Sequence, residues 1–293
     1  MKKNTKILFL SSAIVILIAA MVSAGNYFFN YAIKRRERVI HKKPLGKSIY
    51  ADSFDGLKIH AYESTPKETS NKWAILVHGY TQNSSAMASR AKKFVEKGFN
   101  VLTPDCRGHG KSEGAYIGMG WHDRLDVISW INEIIKRDEN AEIVLYGVSM
   151  GGATVMMVSG ENLPQNVKCI IQDCGYTSIY EIFKHQLKSK FGLPAFPLMY
   201  VVDLVFRLRA GYGFLRQQGS AIKQIQNTNL PILFIHGDKD DFVPTSMVFE
   251  LYEQAGGEKE ILVIKGADHG QCYHKNKKLY LDTMWRFVDK YIQ

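Results

Sequence analysis

The chain has 293 residues, 46% hydrophobic and 23% charged, which excludes a disordered or collagen-like polypeptide and leaves room for one large domain or two small ones. Its formal charge of +10 invites a nucleic-acid reading, but residues 1–47 hold ten Lys and Arg against one acid, Glu37, so nearly all of the excess is N-terminal. The rest of the chain is close to neutral, which removes the main support for a nucleic-acid-binding domain, and positive charge around an apolar segment is a membrane signature.

That apolar segment runs from Ile7 to Ile33 without a charge, 27 residues interrupted only by small or uncharged polar side chains. About 20 helical residues cross the hydrocarbon of a bilayer, so the stretch is long enough to span with tilt. Tyr27, Phe28, Phe29 and Tyr31 close it, where an interfacial aromatic belt is expected. Residues 1–33 are therefore read as a single-pass membrane anchor. The competing reading is a secretory signal peptide, with Lys2 and Lys3 as its basic start and Val22-Ser23-Ala24 as a small-residue cleavage site. The anchor is favoured over it because apolar and aromatic character continues past Ala24, and over a buried core helix because the KRRER block follows directly. The heavier basic flank on the C-terminal side places the following domain in the cytoplasm, whereas the signal-like start argues for the opposite face.

Residues 34–47 form a basic linker, and residues 48–293 a folded domain. Residues 48–65 read as a hairpin turning at Asp55-Gly56. WAILVHG (73–79) is a continuous apolar run ending at Gly, the pattern of a buried central strand. Further strands are expected at 100–105, 142–149, 167–174, 231–237 and 260–266. Helices are expected at 84–97, 121–137, 150–160 and from about 275 to 292, the second from apolar residues three and four apart. Strands alternating with helices define an α/β domain with a mainly parallel sheet. The stretch 175–228 breaks the rhythm. It is far longer than the usual connection of about 2–6 residues and is rich in aromatics, so it is read as a helical cap over the C-terminal edge of the sheet. Cys106, Cys169, Cys174 and Cys272 match neither zinc-site nor disulfide-framework spacing and read as buried free thiols.

Chemistry concentrates at Gly147-Val148-Ser149-Met150-Gly151, a G-x-S-x-G motif set between an apolar strand and a helix. On such a turn the serine is strained and its Oγ stands above the sheet edge, while the helix N-terminus supplies N–H groups and a positive dipole end. A serine hydroxyl needs a base, and His269, in the loop after the last strand, is the candidate. His78, His109 and His236, beside glycines at strand ends, are assigned structural or pocket-lining roles. An orienting carboxylate should precede the base, and Asp238, Asp240 and Asp241 follow the strand 231–237. An oxyanion needs two placed N–H donors, and Met150 and Tyr80 are the candidates, with Gly79 letting the backbone approach.

LVHGY (76–80), DCRGHGKSEG (105–114), GVSMGG (147–152), LFIHGDKDDFVP (233–244) and GADHG (266–270) occur in this order. In them the chain resembles the α/β-hydrolase superfamily over about residues 50–292, and within it the bacterial membrane-anchored serine hydrolases related to monoglyceride lipases and carboxylesterases. The resemblance implies an eight-stranded, mostly parallel sheet, a cap between the sixth and seventh strands, and no metal or organic cofactor. It places the triad acid on Asp240, with Asp241 next and Asp238 third. The activity expected is cleavage of carboxylic esters through an acyl-enzyme on Ser149. Lipid-like acyl esters come into question through the membrane segment and the apolar cap run 193–206, whose residues could equally fill the cap's own core. The same triad also serves aminopeptidase-like amide hydrolases, and a non-catalytic membrane-tethered module remains a third, weaker reading because it would have no use for a complete triad.

Overall fold

The computed structural model describes residues 2–34, 43–215 and 218–292. Arg35, Arg36, Arg38 and Lys42 of the expected basic linker lie outside the described residues. The chain opens with one helix, α1 (Lys2–Ile33), and continues with β1 (Lys47–Asp52), β2 (Lys58–Ser64) and β3 (Lys72–Val77). A single 3-10 turn (Ser84–Met87) leads into α2 (Ala88–Glu96), followed by β4 (Asn100–Asp105), α3 (Asp123–Arg137), β5 (Glu142–Val148), α4 (Met150–Val158) and β6 (Val167–Asp173). Then come α5 (Ile179–Phe191), α6 (Leu198–Ala210), α7 (Ala221–Ile225), β7 (Ile232–Gly237), α8 (Ser246–Gln254), β8 (Lys259–Ile264), α9 (Cys272–Lys275) and α10 (Lys277–Val288).

The strands form one eight-stranded sheet in the order β1-β2-β4-β3-β5-β6-β7-β8. β1 and β2 are the expected hairpin, β2 also runs antiparallel to β4, and every other pair is parallel. This is the α/β-hydrolase fold. The central strands β3, β4, β5 and β7 are buried almost end to end, because helices cover both faces of a parallel sheet. One apolar cluster joins α3, α4, α7 and α8 to one face, and the other joins α2 and α10 to the opposite face, with Phe94 packed edge-on against Trp285. α4, which starts one residue after Ser149, is buried along its whole length.

Several elements depart from expectation. Helix α8 was not expected. The single C-terminal helix is two, because Asn276 breaks the run and its side chain caps α10 by accepting the N–H of Leu279. The expected cap supplies α5 and α6 above the sheet edge, whereas α7 packs back against α4 in the body. Asp203, the single charge in the run 193–206, is buried, accepts N–H bonds from Phe214 and Leu215, and pairs with Arg207, so it ties α6 to its return loop. All four cysteines are free and buried, as expected.

α1 divides into two parts. Ile14 to Ile18 are each at least half exposed on consecutive positions, so no protein surrounds that stretch. Its last turns dock on the body instead. Phe29 and Ile33, four residues apart, are fully buried, and Phe29 meets Tyr116 and Phe206 edge-on. The expected aromatic belt is thus corrected at Phe29, whose ring belongs to the protein core. Ser11–Ile33 remains long and apolar enough to cross a membrane.

Candidate active site

Ser149 sits between β5 and α4 with φ 57° and ψ −117°, a conformation L-residues rarely adopt. Tight packing imposes it. A Cβ at Gly147 would come within 2.1 Å of the Gly151 carbonyl oxygen, and one at Gly151 within 2.1 Å of the Val77 carbonyl oxygen. Only glycine on both sides lets the helix start this close to β3 and β5, and the turn lifts the serine to the sheet edge.

The Ser149 hydroxyl lies 2.8 Å from His269 Nε2. His269 Nδ1 lies 2.7 Å from Asp240 Oδ2. Oδ1 of Asp240 accepts the backbone N–H groups of Phe242 (3.0 Å) and Val243 (2.8 Å). Burial opposes ionisation of Asp240, but hydrogen bonds from His236 and His269 outweigh it and bring its pKa down to about 2. The structure therefore brings together three of the expected residues, Ser149, Asp240 and His269. Asp238 and Asp241, the other two acids, are exposed: Asp238 accepts the N–H of Gly266, and the Asp241 carbonyl meets His185.

Tyr80 and Met150 line the same cleft as the Ser149 hydroxyl. Met150 opens α4, so its N–H has no acceptor one turn back within the helix. Gly79 lies against Ser149, its absent Cβ at 3.4 Å from that of the serine. Under this loop His78 and His109 are fully buried, with rings 5.0 Å apart. His78 Nε2 accepts the N–H of Cys106, and His109 Nε2 that of Thr81. Burial, and then the neighbouring His78, lower His109 to about 3, so it is neutral and structural, as expected. Asp105, from the DCRGHGKSEG segment, holds that loop by accepting the N–H groups of Ser84 and Lys111 and pairing with His60.

Two contributors escaped the sequence reading. His236 is more than a strand-end residue: its Nε2 lies 3.2 Å from Asp240 Oδ2 and 2.9 Å from the Val243 carbonyl, so it steadies the acid loop from β7. Asp240 follows His236 by four positions, a spacing visible in the chain. The second is α1, whose Phe28, Tyr31 and Ala32 line the cleft together with the cap residues Leu187 and Phe191. Sγ of Cys174 also lies within 4.8 Å of the Asp240 and His269 ligand atoms. Burial pushes that thiol far above its ordinary range, and the other two groups already bond each other, so the cluster suits a proton-holding chain better than a cation.

A serine hydroxyl, an imidazole and a buried carboxylate in line at the edge of this sheet belong to a serine-type α/β hydrolase. The chain belongs to the Hydrolase_4 family, described as serine aminopeptidase, S33, whose family model matches residues 69–184 and 199–275. It is 28% identical over 295 residues to the uncharacterized protein YqkD of Bacillus subtilis, covering 94% of this chain and 96% of that one. It is 25% identical to the α/β-hydrolase domain-containing protein WAV2 of Arabidopsis thaliana, covering 84% and 79%. Among solved structures, the esterase Pf2001 of Pyrococcus furiosus superposes with a TM-score of 0.71 at 21% identity, over 88% of this chain and 100% of that one. Est1E of Butyrivibrio proteoclasticus with bound ferulic acid gives 0.66 at 23% identity, over 83% and 98%.

Proposed function

We propose that the protein is a membrane-tethered serine hydrolase that cleaves carboxylic esters through an acyl-enzyme on Ser149. His269 is its general base and acid, Asp240 the orienting carboxylate, and the N–H groups of Tyr80 and Met150 the oxyanion donors. The observation that carries this reading is the continuous hydrogen-bonded chain Ser149–His269–Asp240, opening into an apolar cleft.

As Oγ bonds to the ester carbonyl carbon, its proton moves to His269 Nε2 and the carbonyl electron pair moves onto oxygen, where the two N–H donors stabilise it. Collapse breaks the bond to the alcohol, which leaves with the proton from Nε2. Water then repeats the sequence on the acyl-enzyme, giving the carboxylic acid and restoring Ser149. Asp240 stays ionised throughout and stabilises the imidazolium.

The family's description keeps an aminopeptidase reading alive. An aminopeptidase must recognise a free α-ammonium group, for which a carboxylate in the binding cleft is the natural partner. Among the described residues lining the cleft there is no carboxylate, and the one charged side chain is that of Lys190. This favours esters.

The test uses a fluorophosphonate probe and p-nitrophenyl acyl esters, with aminoacyl-anilides in parallel. Wild type is expected to be labelled at Ser149 and to turn over esters well above anilides. Ser149→Ala should lose labelling and reduce kcat on the order of 10⁵-fold or more while keeping its thermal midpoint. Faster anilide than ester turnover would overturn the ester assignment, and wild-type rates in Ser149→Ala would overturn the nucleophile.

A further inference from the structure

The cleft above Ser149 has a wall that the catalytic fold itself does not supply. Part of it comes from α5 and α6 of the cap. Next to them stand Phe28, Tyr31 and Ala32, from the last turns of the same helix whose residues Ile14 to Ile18 are bare. Phe28 and Tyr31 both meet the ring of Phe191 at the end of α5 edge-on, with centroids 5.1 and 5.2 Å apart. The helix is seated firmly there. At Gly25 a Cβ would come 2.8 Å from Val201 Cγ1, so a side chain there would push α1 away from α6. The helix end is bonded too: the Ile33 carbonyl accepts the N–H of Ile117, and the Ala32 carbonyl accepts the phenol of Tyr80. Tyr80 is also the proposed oxyanion residue through its backbone N–H, so one residue meets the helix end with its side chain and the reacting centre with its main chain.

The helix that α1 packs against carries apolar surface of its own. Phe196, Tyr200, Leu204 and Leu208 follow at intervals of four along α6 and the turn before it and are 53–77% exposed, forming an apolar stripe. A helix exposed and apolar for five consecutive residues, packed against another that carries such a stripe, matches a bilayer and its interface.

We propose that the C-terminal turns of the membrane helix form the acyl-binding wall of the active site, with Phe28 and Ala32 setting the chain length accepted, and that the substrate is an acyl ester with a long alkyl chain taken from the bilayer. This rests on the ester-hydrolase reading for the reaction but not for the wall. The alkyl chain would lie between Phe28 and the cap, with its carbonyl carbon at Ser149, so one helix both anchors the enzyme and selects its substrate.

The full-length protein in detergent micelles is assayed with p-nitrophenyl acetate and p-nitrophenyl dodecanoate. The same preparations are timed for Ser149 labelling by fluorophosphonates bearing an ethyl or a dodecyl chain. Removing one aromatic ring from an alkyl chain's wall in Phe28→Ala should lower the dodecanoate-to-acetate ratio of kcat/KM about tenfold, mainly through KM. Ala32→Phe, which drives a ring into the cleft, should lower it further, and the dodecyl-to-ethyl labelling ratio should follow in both variants. Leu17→Ala, on the bare stretch, should keep the wild-type ratios. Reading ratios separates the effect from partial misfolding, and Phe28→Ala decides the matter if Ala32→Phe does not fold. Ratios within about twofold of wild type in both assays would overturn the proposal. Absence of ester turnover with a shifted labelling ratio would leave the wall standing and bring down the ester reading alone.

Discussion

At the scale of single residues, the site depends on one carboxylate held ionised in a buried place. Asp240 is almost fully buried, yet its pKa is about 2, because four donors converge on its two oxygens. Its folded pKa lies below the ordinary 3.8, so its contribution to stability is present above pH 3.8 and is lost as pH falls towards 2. The difference is worth about 2 kcal/mol. Thermal unfolding followed from pH 5 to pH 2 should therefore show a steeper loss in wild type than in Asp240→Asn, and parallel curves would contradict the bonding described. The same substitution at pH 8 should lower kcat on the order of 10⁴-fold, since an amide favours the wrong imidazole tautomer. The chain itself pointed to Ser149 and His269, because G-x-S-x-G and a late His-Gly each lie beside an apolar strand. Among three neighbouring acids it could only rank Asp240 first by resemblance. Burial and convergent N–H groups distinguish that carboxylate, and neither is written in local spacing. His236 was undervalued for the same reason: its contact with Asp240 arises from the turn between them.

At the scale of elements, continuous apolar runs marked β3, β5, β6 and β7 because a strand covered on both faces has no polar side to show. Strand order was less legible. β4 lies between β2 and β3, a crossover decided by packing across the sheet. The most consequential miss was the docking of α1, since an apolar helix face looks the same whether it meets lipid or protein. Gly25 was the available clue. A glycine in mid-helix costs about 1 kcal/mol relative to alanine, so its presence calls for a reason, and here the reason is the approach of Val201 and Val205. Gly25→Leu should force α1 off α6. The overpacking cost of about 1–3 kcal/mol predicts a thermal midpoint lowered by roughly 2–12 °C, partly offset by better helix propensity. An unchanged or raised midpoint would mean that the two helices are not in contact at this point.

At the scale of the whole molecule, the question is where the folded unit begins. The sequence pattern set the boundary after the basic linker, at residue 48, and the burial of Gly25, Phe29 and Ile33 raises the alternative that it lies within α1. Two truncated chains separate these boundaries. One starting at Gly25, the product that cleavage after Ala24 would leave, loses a stretch that between Ser11 and Ala24 is exposed except at the half-buried Met21 and Ala24. It should unfold within a few degrees of the full-length protein, by about 2–4 °C per kcal/mol, and keep Ser149 reactive. One starting at Lys34 loses two fully buried side chains at about 1.5–3 kcal/mol each and uncovers Tyr116, Phe206 and the cleft. Against a total stability of about 5–15 kcal/mol, that loss should lower the midpoint by roughly 10 °C or more and leave an aggregation-prone chain. Equal midpoints for the two would show that the helix end rests on a body already complete without it, and the boundary would return to residue 48. If the chain from Gly25 alone matches the full-length protein, the last turns of the helix are part of the enzyme whether or not the earlier turns are cleaved.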